Sequence, residues 1–287
     1  MTMPFAVRVQ HLLPQRLLCA FIYRVSRSRI RWFKAALISW FAHHYEVNLS
    51  EARDSELSTY PDFNAFFTRA LQPEARSIDT RADSLVSPAD GRLTQRDVIT
   101  SGRVIQAKGF DYSLADLLGE PANELADFDG GISATIYLAP QDYHRVHAPT
   151  SGQLVAMRYI AGRRFSVNAT TARWIDALYC RNERLVCWFE APFGRYAAVL
   201  VGALNVSSIS TVLTGEIHSG TDAHWPRIED AQFERGEEFA RFNLGSTVVL
   251  AFPKGAAEFD TSIDSGGSIR MGQRFACIAR NVPGPLA

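Results

Sequence analysis

The chain has 287 residues, 47% hydrophobic and 21% charged, enough to bury the core of one large domain or two modest ones and unlike a low-complexity polymer. Thirty Lys and Arg balance thirty Asp and Glu, so the chain as a whole has no electrostatic footprint for nucleic acid, and no nucleic-acid partner is expected. The charge is unevenly spread: Arg8, Arg16, Arg24, Arg27, Arg29, Arg31 and Lys34 precede the first acidic residue, Glu46.

In that cationic segment, Leu17, Leu18, Phe21, Ile22 and Val25 recur at helical spacing after Pro14, and Ile30, Phe33, Leu37, Trp40 and Phe41 repeat the pattern. Two or three short amphipathic helices are predicted. They read either as a helical cap with solvated arginines, or as helices lying in a lipid headgroup layer with Trp32 and Trp40 as anchors and cations toward anionic lipid. No secretion signal is recognisable, and Cys19, Cys180, Cys187 and Cys277 lack CxxC spacing. Cys180 and Cys187 could face each other across a hairpin, but reduced, buried thiols are expected. The longest uncharged window, residues 196–215, is rich in Ser, Thr and Gly and reads as two strands, so no transmembrane segment is expected.

Phe63, Phe66 and Phe67 form one face of a short helix. From Ser84 onward the chain changes to short β-branched runs separated by turn residues: 103–107, 132–138, 153–160, 185–189, 197–206, 207–212 and 247–252. This predicts an α+β fold with a mainly antiparallel β sandwich or barrel core behind N-terminal amphipathic helices, divided as 1–50 and 51–287. Residues 215–239 read as an exposed loop, and Asn182-Glu183-Arg184 as a hairpin connection.

Four stretches carry candidate chemistry. Ser87-Pro88-Ala89-Asp90-Gly91 is a turn whose Asp90 is either a plain turn carboxylate, a buried base or the orienter of a histidine. Asp142-Tyr143-His144-Arg145-Val146-His147 packs titratable groups into one loop, open to three readings: a satisfied polar loop, a metal site built from Asp142, His144 and His147, or proton transfer. Gly162-Arg163-Arg164-Phe165-Ser166-Val167-Asn168 joins cations to an apolar strand start, suiting either a polar headgroup beside an acyl chain or a surface turn. Finally, Gly245-Ser246 precedes the apolar run Thr247-Val248-Val249-Leu250 and reads as a tight turn entering a buried strand. Such a turn is usually no more than a turn. A serine there can also attack the Gly245 carbonyl, and elimination from the resulting ester would cut the chain and leave a pyruvoyl group derived from Ser246.

The motifs Ser-Pro-Ala-Asp-Gly (87–91), Gln-Ala-Lys-Gly (106–109), Tyr-Ser-Leu (112–114), Asp-Tyr-His-Arg-Val-His (142–147), Phe-Ser-Val-Asn (165–168), Asn-Glu-Arg (182–184), Val-Gly-Ala (201–203) and Leu-Gly-Ser-Thr (244–247) together resemble the bacterial phosphatidylserine decarboxylases. The resemblance runs from about residue 5 to 280, with the motifs in the family's order. It implies self-cleavage between Gly245 and Ser246 into a β chain (1–245) and an α chain (246–287), a covalent pyruvoyl cofactor from Ser246 and no bound metal. It further implies Asp90 and His147 as acid–base partners of Ser246, Asp142 as helper, and His144 as the substrate histidine and proton donor. Phe165, Ser166 and Asn168 would help bind the phospholipid. The helices would dock on an anionic membrane surface at the cytoplasmic face of the cell membrane, and the two-chain unit would pair into a homodimer. Ala240, where relatives often have glycine, the stretch Trp174 to Ala177 and the short tail depart from the family pattern without touching a proposed catalytic residue. The competing readings are a metal-dependent β-barrel hydrolase using Asp142, His144 and His147, and a non-enzymatic membrane-binding module.

Overall fold

The computed structural model describes residues 3–107, 109–204, 208–218, 220 and 222–279. Val206 and Ser207, assigned to strands from the sequence, lie outside the described residues, as does the tail beyond residue 279. Three helices open the chain: α1 (Phe5–Leu12), α2 (Gln15–Ser26) and α3 (Arg31–His44). The break between the first two is local, because Pro14 biases the preceding Leu13 to the extended conformation that it adopts. A fourth helix, α4 (Phe63–Phe67), starts where Asp62 Oδ1 accepts the Ala65 N–H at 2.9 Å, satisfying a donor that the first turn leaves unpaired.

The strands make an antiparallel nine-stranded sheet, run in the order Ala223–Trp225, Gly152–Ile160, Arg184–Ala191, Gly194–Gly202, Ser246–Phe252, Ile132–Leu138, Gly91–Val98 and Ser268–Ile269, with Gln232–Phe233 also paired to Gly152–Ile160. Alternation sorts each central strand between two cores. Val248, Leu250, Phe252, Ala198, Leu200 and Phe189 point to one face, where the smaller sheets cover them through Leu85, Phe239, Phe242 and Phe275. Val249, Ala251, Val199, Val201 and Trp188 point to the other, packed with Val7 of α1 and with Tyr112, Leu117 and Phe128. Because both faces are covered, these strands are continuous apolar runs. A third core joins Ile38 and Phe41 of α3 to Phe63, Phe66 and Phe67 of α4, and includes Leu244.

The predicted α+β architecture with helices first and antiparallel strands after is what the chain adopts. Among the described residues no sheet closes into a barrel, so the sandwich half of that expectation holds. Two local expectations fail. Residues 215–239 hold the short strands Gly215–Ile217, Ala223–Trp225 and Gln232–Phe233 rather than only loop. Asn182-Glu183-Arg184 is not a hairpin: it leads from a helical turn (Leu178–Arg181) into the Arg184–Ala191 strand, with Asn182 fully buried. Cys180 and Cys187 therefore do not face each other across a hairpin, and all four thiols are free.

Candidate active site

Ser246 opens the central strand of the large sheet, its backbone paired with Gly202 on one side and Leu138 on the other. The two residues before it, Leu244 at φ 88° and Gly245 at φ 45°, both lie in the left-handed region. Glycine adopts it freely, whereas leucine there stores strain of about 1–3 kcal/mol. What holds Leu244 is its burial in the third core and the fixing of its neighbour Asn243, whose Nδ2 donates to Ser208 Oγ (2.9 Å) and Ser210 Oγ (2.8 Å) while Oδ1 accepts from Asn64 Nδ2 (3.1 Å).

The loop after Leu138 brings the second motif to the same edge. Asp142 Oδ2 accepts the Ala139 N–H at 2.7 Å, closing the loop directly beyond the residue paired with Ser246. The His144 carbonyl accepts the Phe242 N–H at 3.0 Å, and Arg145–His147 pairs with the Glu238–Asn243 strand that leads into Gly245-Ser246. Asp142 and His144 are thereby tied to both strands that frame the serine.

The His144 ring is fully buried, its centroid 4.0 Å from that of Phe67. Nδ1 lies 2.8 Å from the Asp142 carbonyl oxygen, which can only accept, so Nδ1 carries the hydrogen and Nε2 is a bare lone pair. Nε2 has no partner among the described residues. Burial, aided by the nearby Arg69 charge and resisted by the Asp142 carbonyl, pulls the imidazole down to about 3. His144 is neutral, with Nε2 open as a hydrogen-bond acceptor.

His147 donates its backbone N–H to the Pro88 carbonyl at 2.8 Å, which fastens it to the Ser87–Gly91 turn. Nδ1 donates to the Gly236 carbonyl at 2.8 Å and Nε2 accepts the Tyr143 hydroxyl at 3.0 Å; burial lowers its pKa. Gly91 is dictated by a close approach, since a Cβ there would stand 2.3 Å from the Tyr137 carbonyl oxygen. Asp90 sits at that approach, held by Arg76 (Nε to Oδ1, 2.9 Å, with a second short contact from Nη2) and by the Met271 N–H at 2.9 Å. The Asp90 and His147 motifs are thus adjacent through Pro88, while each side chain is satisfied by another group. Asp90, Asp142 and Tyr143 all line one cavity of 270 Å³. Burial, with the Asp90 charge nearby, raises the Asp142 pKa.

Phe165, Ser166 and Asn168 lie one strand farther out. Asn182 bridges Phe165 (Nδ2 to O, 2.8 Å; N to Oδ1, 3.0 Å) and the Gly202 carbonyl (2.8 Å), and Gly202 is the residue paired with Ser246. The Ser166 N–H donates to Gln10 Oε1 of α1 at 2.8 Å. Asn168 Oδ1 caps the next helical turn by accepting the Thr171 N–H at 2.9 Å.

Sequence reasoning did not single out Arg69, Arg76 or Asn243, and it took Asn182 for part of a hairpin connection. Each is an ordinary polar residue in sequence, and only its burial marks it. The metal-hydrolase alternative loses its geometry: Asp142 is turned to Ala139, the His144 ring packs on Phe67, and His147 Nε2 faces Tyr143. Among the described residues no group of three His, Cys, Asp or Glu could hold a metal ion.

The geometry thus sets a serine at the entry to a central strand, after a left-handed pair and beside a histidine-bearing loop. The family model described as phosphatidylserine decarboxylase matches residues 63–277, and a second, described as PSD, matches residues 5–46. The chain is 45% identical over 277 residues to the phosphatidylserine decarboxylase proenzyme of Pseudomonas putida strain KT2440, covering 94% of this chain and 96% of that protein. It is 45% identical over 269 residues to the Nitrosococcus oceani proenzyme (92% of this chain, 88% of that one) and 44% over 268 to that of Methylococcus capsulatus (92% and 93%). The chain belongs to the phosphatidylserine decarboxylase family, a family of enzymes.

Proposed function

We propose that the chain cuts itself between Gly245 and Ser246 and then decarboxylates phosphatidylserine to phosphatidylethanolamine. The observation that carries this reading is the strained pair Leu244 and Gly245 immediately before Ser246, supported by the proenzyme names of the relatives. In the proposed processing, the Ser246 hydroxyl adds to the Gly245 carbonyl and the amide becomes an ester. A base then removes the Ser246 Cα proton. Elimination releases the Gly245 carboxylate, and the dehydroalanine left at 246 takes up water and loses ammonia to give the pyruvoyl group. His147 and Asp90 are the proposed acid–base pair; the Tyr143 hydroxyl must first release His147 Nε2, and Arg76 must release Asp90.

A pyruvoyl ketone supplies an electron sink for the carbanion left when CO2 departs. The chain's own residues supply binding and proton transfer. His144, whose Nε2 is unpartnered, is the proposed residue that handles the substrate and returns a proton to Cα after CO2 leaves. Asp142 holds that histidine in the required tautomer through its carbonyl. Phe165, Ser166 and Asn168 form the proposed substrate-binding edge.

Among the described residues, seven of the eleven exposed large hydrophobics, Phe5, Leu12, Leu17, Phe21, Ile30, Trp32 and Trp40, lie in α1–α3 or just before α3, which supports docking of this segment on the membrane that contains the substrate. None of the described helices is long and apolar enough to cross a membrane. The reading therefore places a membrane-associating segment at 1–50 and the catalytic domain at 51–287, peripheral at the cytoplasmic face. The test is CO2 release from vesicles of phosphatidylserine labelled in the serine carboxyl. Wild type should release label and Ser246→Ala should not; label release by Ser246→Ala would sink the reading.

A further inference from the structure

Arg69 is 4% exposed, yet only one of its donor nitrogens has an acceptor: Nη2 donates to the Gln141 carbonyl at 3.1 Å, while Nε and Nη1 are buried without a partner. A buried guanidinium with open donors has given up hydrogen bonds to water without replacement, so a native chain keeps one where something else fills the gap. The neighbouring carboxylates do not fill it. Asp90 is bound to Arg76 and the Met271 N–H, Glu51 to Arg76 and Arg270, and Asp142 Oδ2 to the Ala139 N–H. The guanidinium is braced from behind by the Phe66 ring, 5.6 Å from its centroid.

Arg69 lines the same 270 Å³ cavity as Asp90 and Asp142. That volume is just under the range of about 300–1,000 Å³ that encloses drug-sized ligands, so it admits a polar headgroup and leaves acyl chains outside. We propose that Arg69 is an oxyanion receptor whose open guanidinium donors bind the carboxylate or the phosphodiester of the substrate headgroup in this cavity. The open Nε–H and Nη1–H diverge within the guanidinium plane, so they meet different oxygens in a fixed planar arrangement that a lysine ammonium cannot reproduce. The phosphodiester is the better suited of the two, because it is unchanged by the reaction, whereas gripping the carboxylate would stabilise the ground state that must lose CO2. This inference rests on the decarboxylase reading.

The test uses the full chain and two soluble probes, glycerophosphoserine and glycerophosphoethanolamine, with binding read by calorimetry and turnover read as KM and kcat. Arg69→Met should weaken glycerophosphoserine at least 10-fold and raise KM, with Arg69→Lys in between. Equal weakening of glycerophosphoethanolamine assigns the phosphodiester; weakening of glycerophosphoserine alone assigns the carboxylate. If Arg69→Met does not fold, Arg69→Lys decides: a raised KM at unchanged chain cleavage supports the site. Wild-type binding and KM in the folded variant, even with a lower Tm, would overturn it and leave Arg69 as a brace for Gln141. Wild-type protein that binds the probes but releases no CO2 would instead break the decarboxylase reading and leave the anion site standing.

Discussion

Asn64 Nδ2 donates to Asn243 Oδ1 at 3.1 Å, so a helix near the N-terminus holds the residue two positions before the proposed scissile glycine. The same Asn243 reaches Ser208 and Ser210 on the adjacent strand. Three elements far apart in sequence therefore meet at the segment that must stay strained. Asn243→Ala deletes these bonds and should cost on the order of 1–3 kcal/mol, with slower chain cleavage. A thermal melt and a cleavage time course read both; wild-type cleavage would show that this anchor is unrelated to processing.

Leu244 offers a test of strain itself. Leu244→Ala and Leu244→Gly lose the same packing against α3 and α4, but alanine must still hold φ 88°. The left-handed conformation costs a non-glycine residue about 1–2 kcal/mol, more than the roughly 0.4–1 kcal/mol that glycine adds to unfolded-state entropy. The glycine variant should thus be at least as stable in urea. An alanine variant more stable than the glycine one would contradict the strained backbone.

His144→Ala should still be cut into two chains but turn over on the order of 10²–10⁴-fold more slowly, the range of general acid–base catalysis. Separate assays of cleavage and CO2 release check this. Unchanged turnover would remove the proposed role of Nε2.

Acid should destabilise the fold. The unfolded chain protonates His144 near 6.5 and the folded chain only near 3, so in that window the unfolded state binds more protons and stability rises with pH. His147 adds with the same sign, and Asp142, whose pKa is raised, opposes them at the acid end. Each histidine contributes a slope of up to about 1.4 kcal/mol per pH unit. Urea midpoints at pH 5 and 7 should differ, and His144→Gln should flatten the difference; a profile identical to wild type would refute the buried neutral imidazole.

Much of this architecture was legible in the sequence. Local periodicity was enough for the helices of residues 15–44, for the Phe63–Phe67 turn and for the central strands, because alternation and helical spacing are short-range signals. The motifs marked Asp90, His144, His147 and Ser246 as the residues to watch. Their partners were not legible. Nothing local says that Arg76 takes Asp90, that Tyr143 takes His147, or that Asn182 is a buried bridge rather than a hairpin tip, since each depends on strands meeting across long separations. The short strands within residues 215–239 were missed for a related reason: their polarity reads as loop, and pairing with Gly152–Ile160 and Ser208–Thr211 supplies the order that their own sequence lacks.

The most direct measurement is the intact mass of the purified protein under denaturing conditions. The account predicts two chains divided between Gly245 and Ser246, the smaller one lighter by one ammonia than a serine-terminated fragment. A single uncut chain that nonetheless releases CO2 from phosphatidylserine would contradict it.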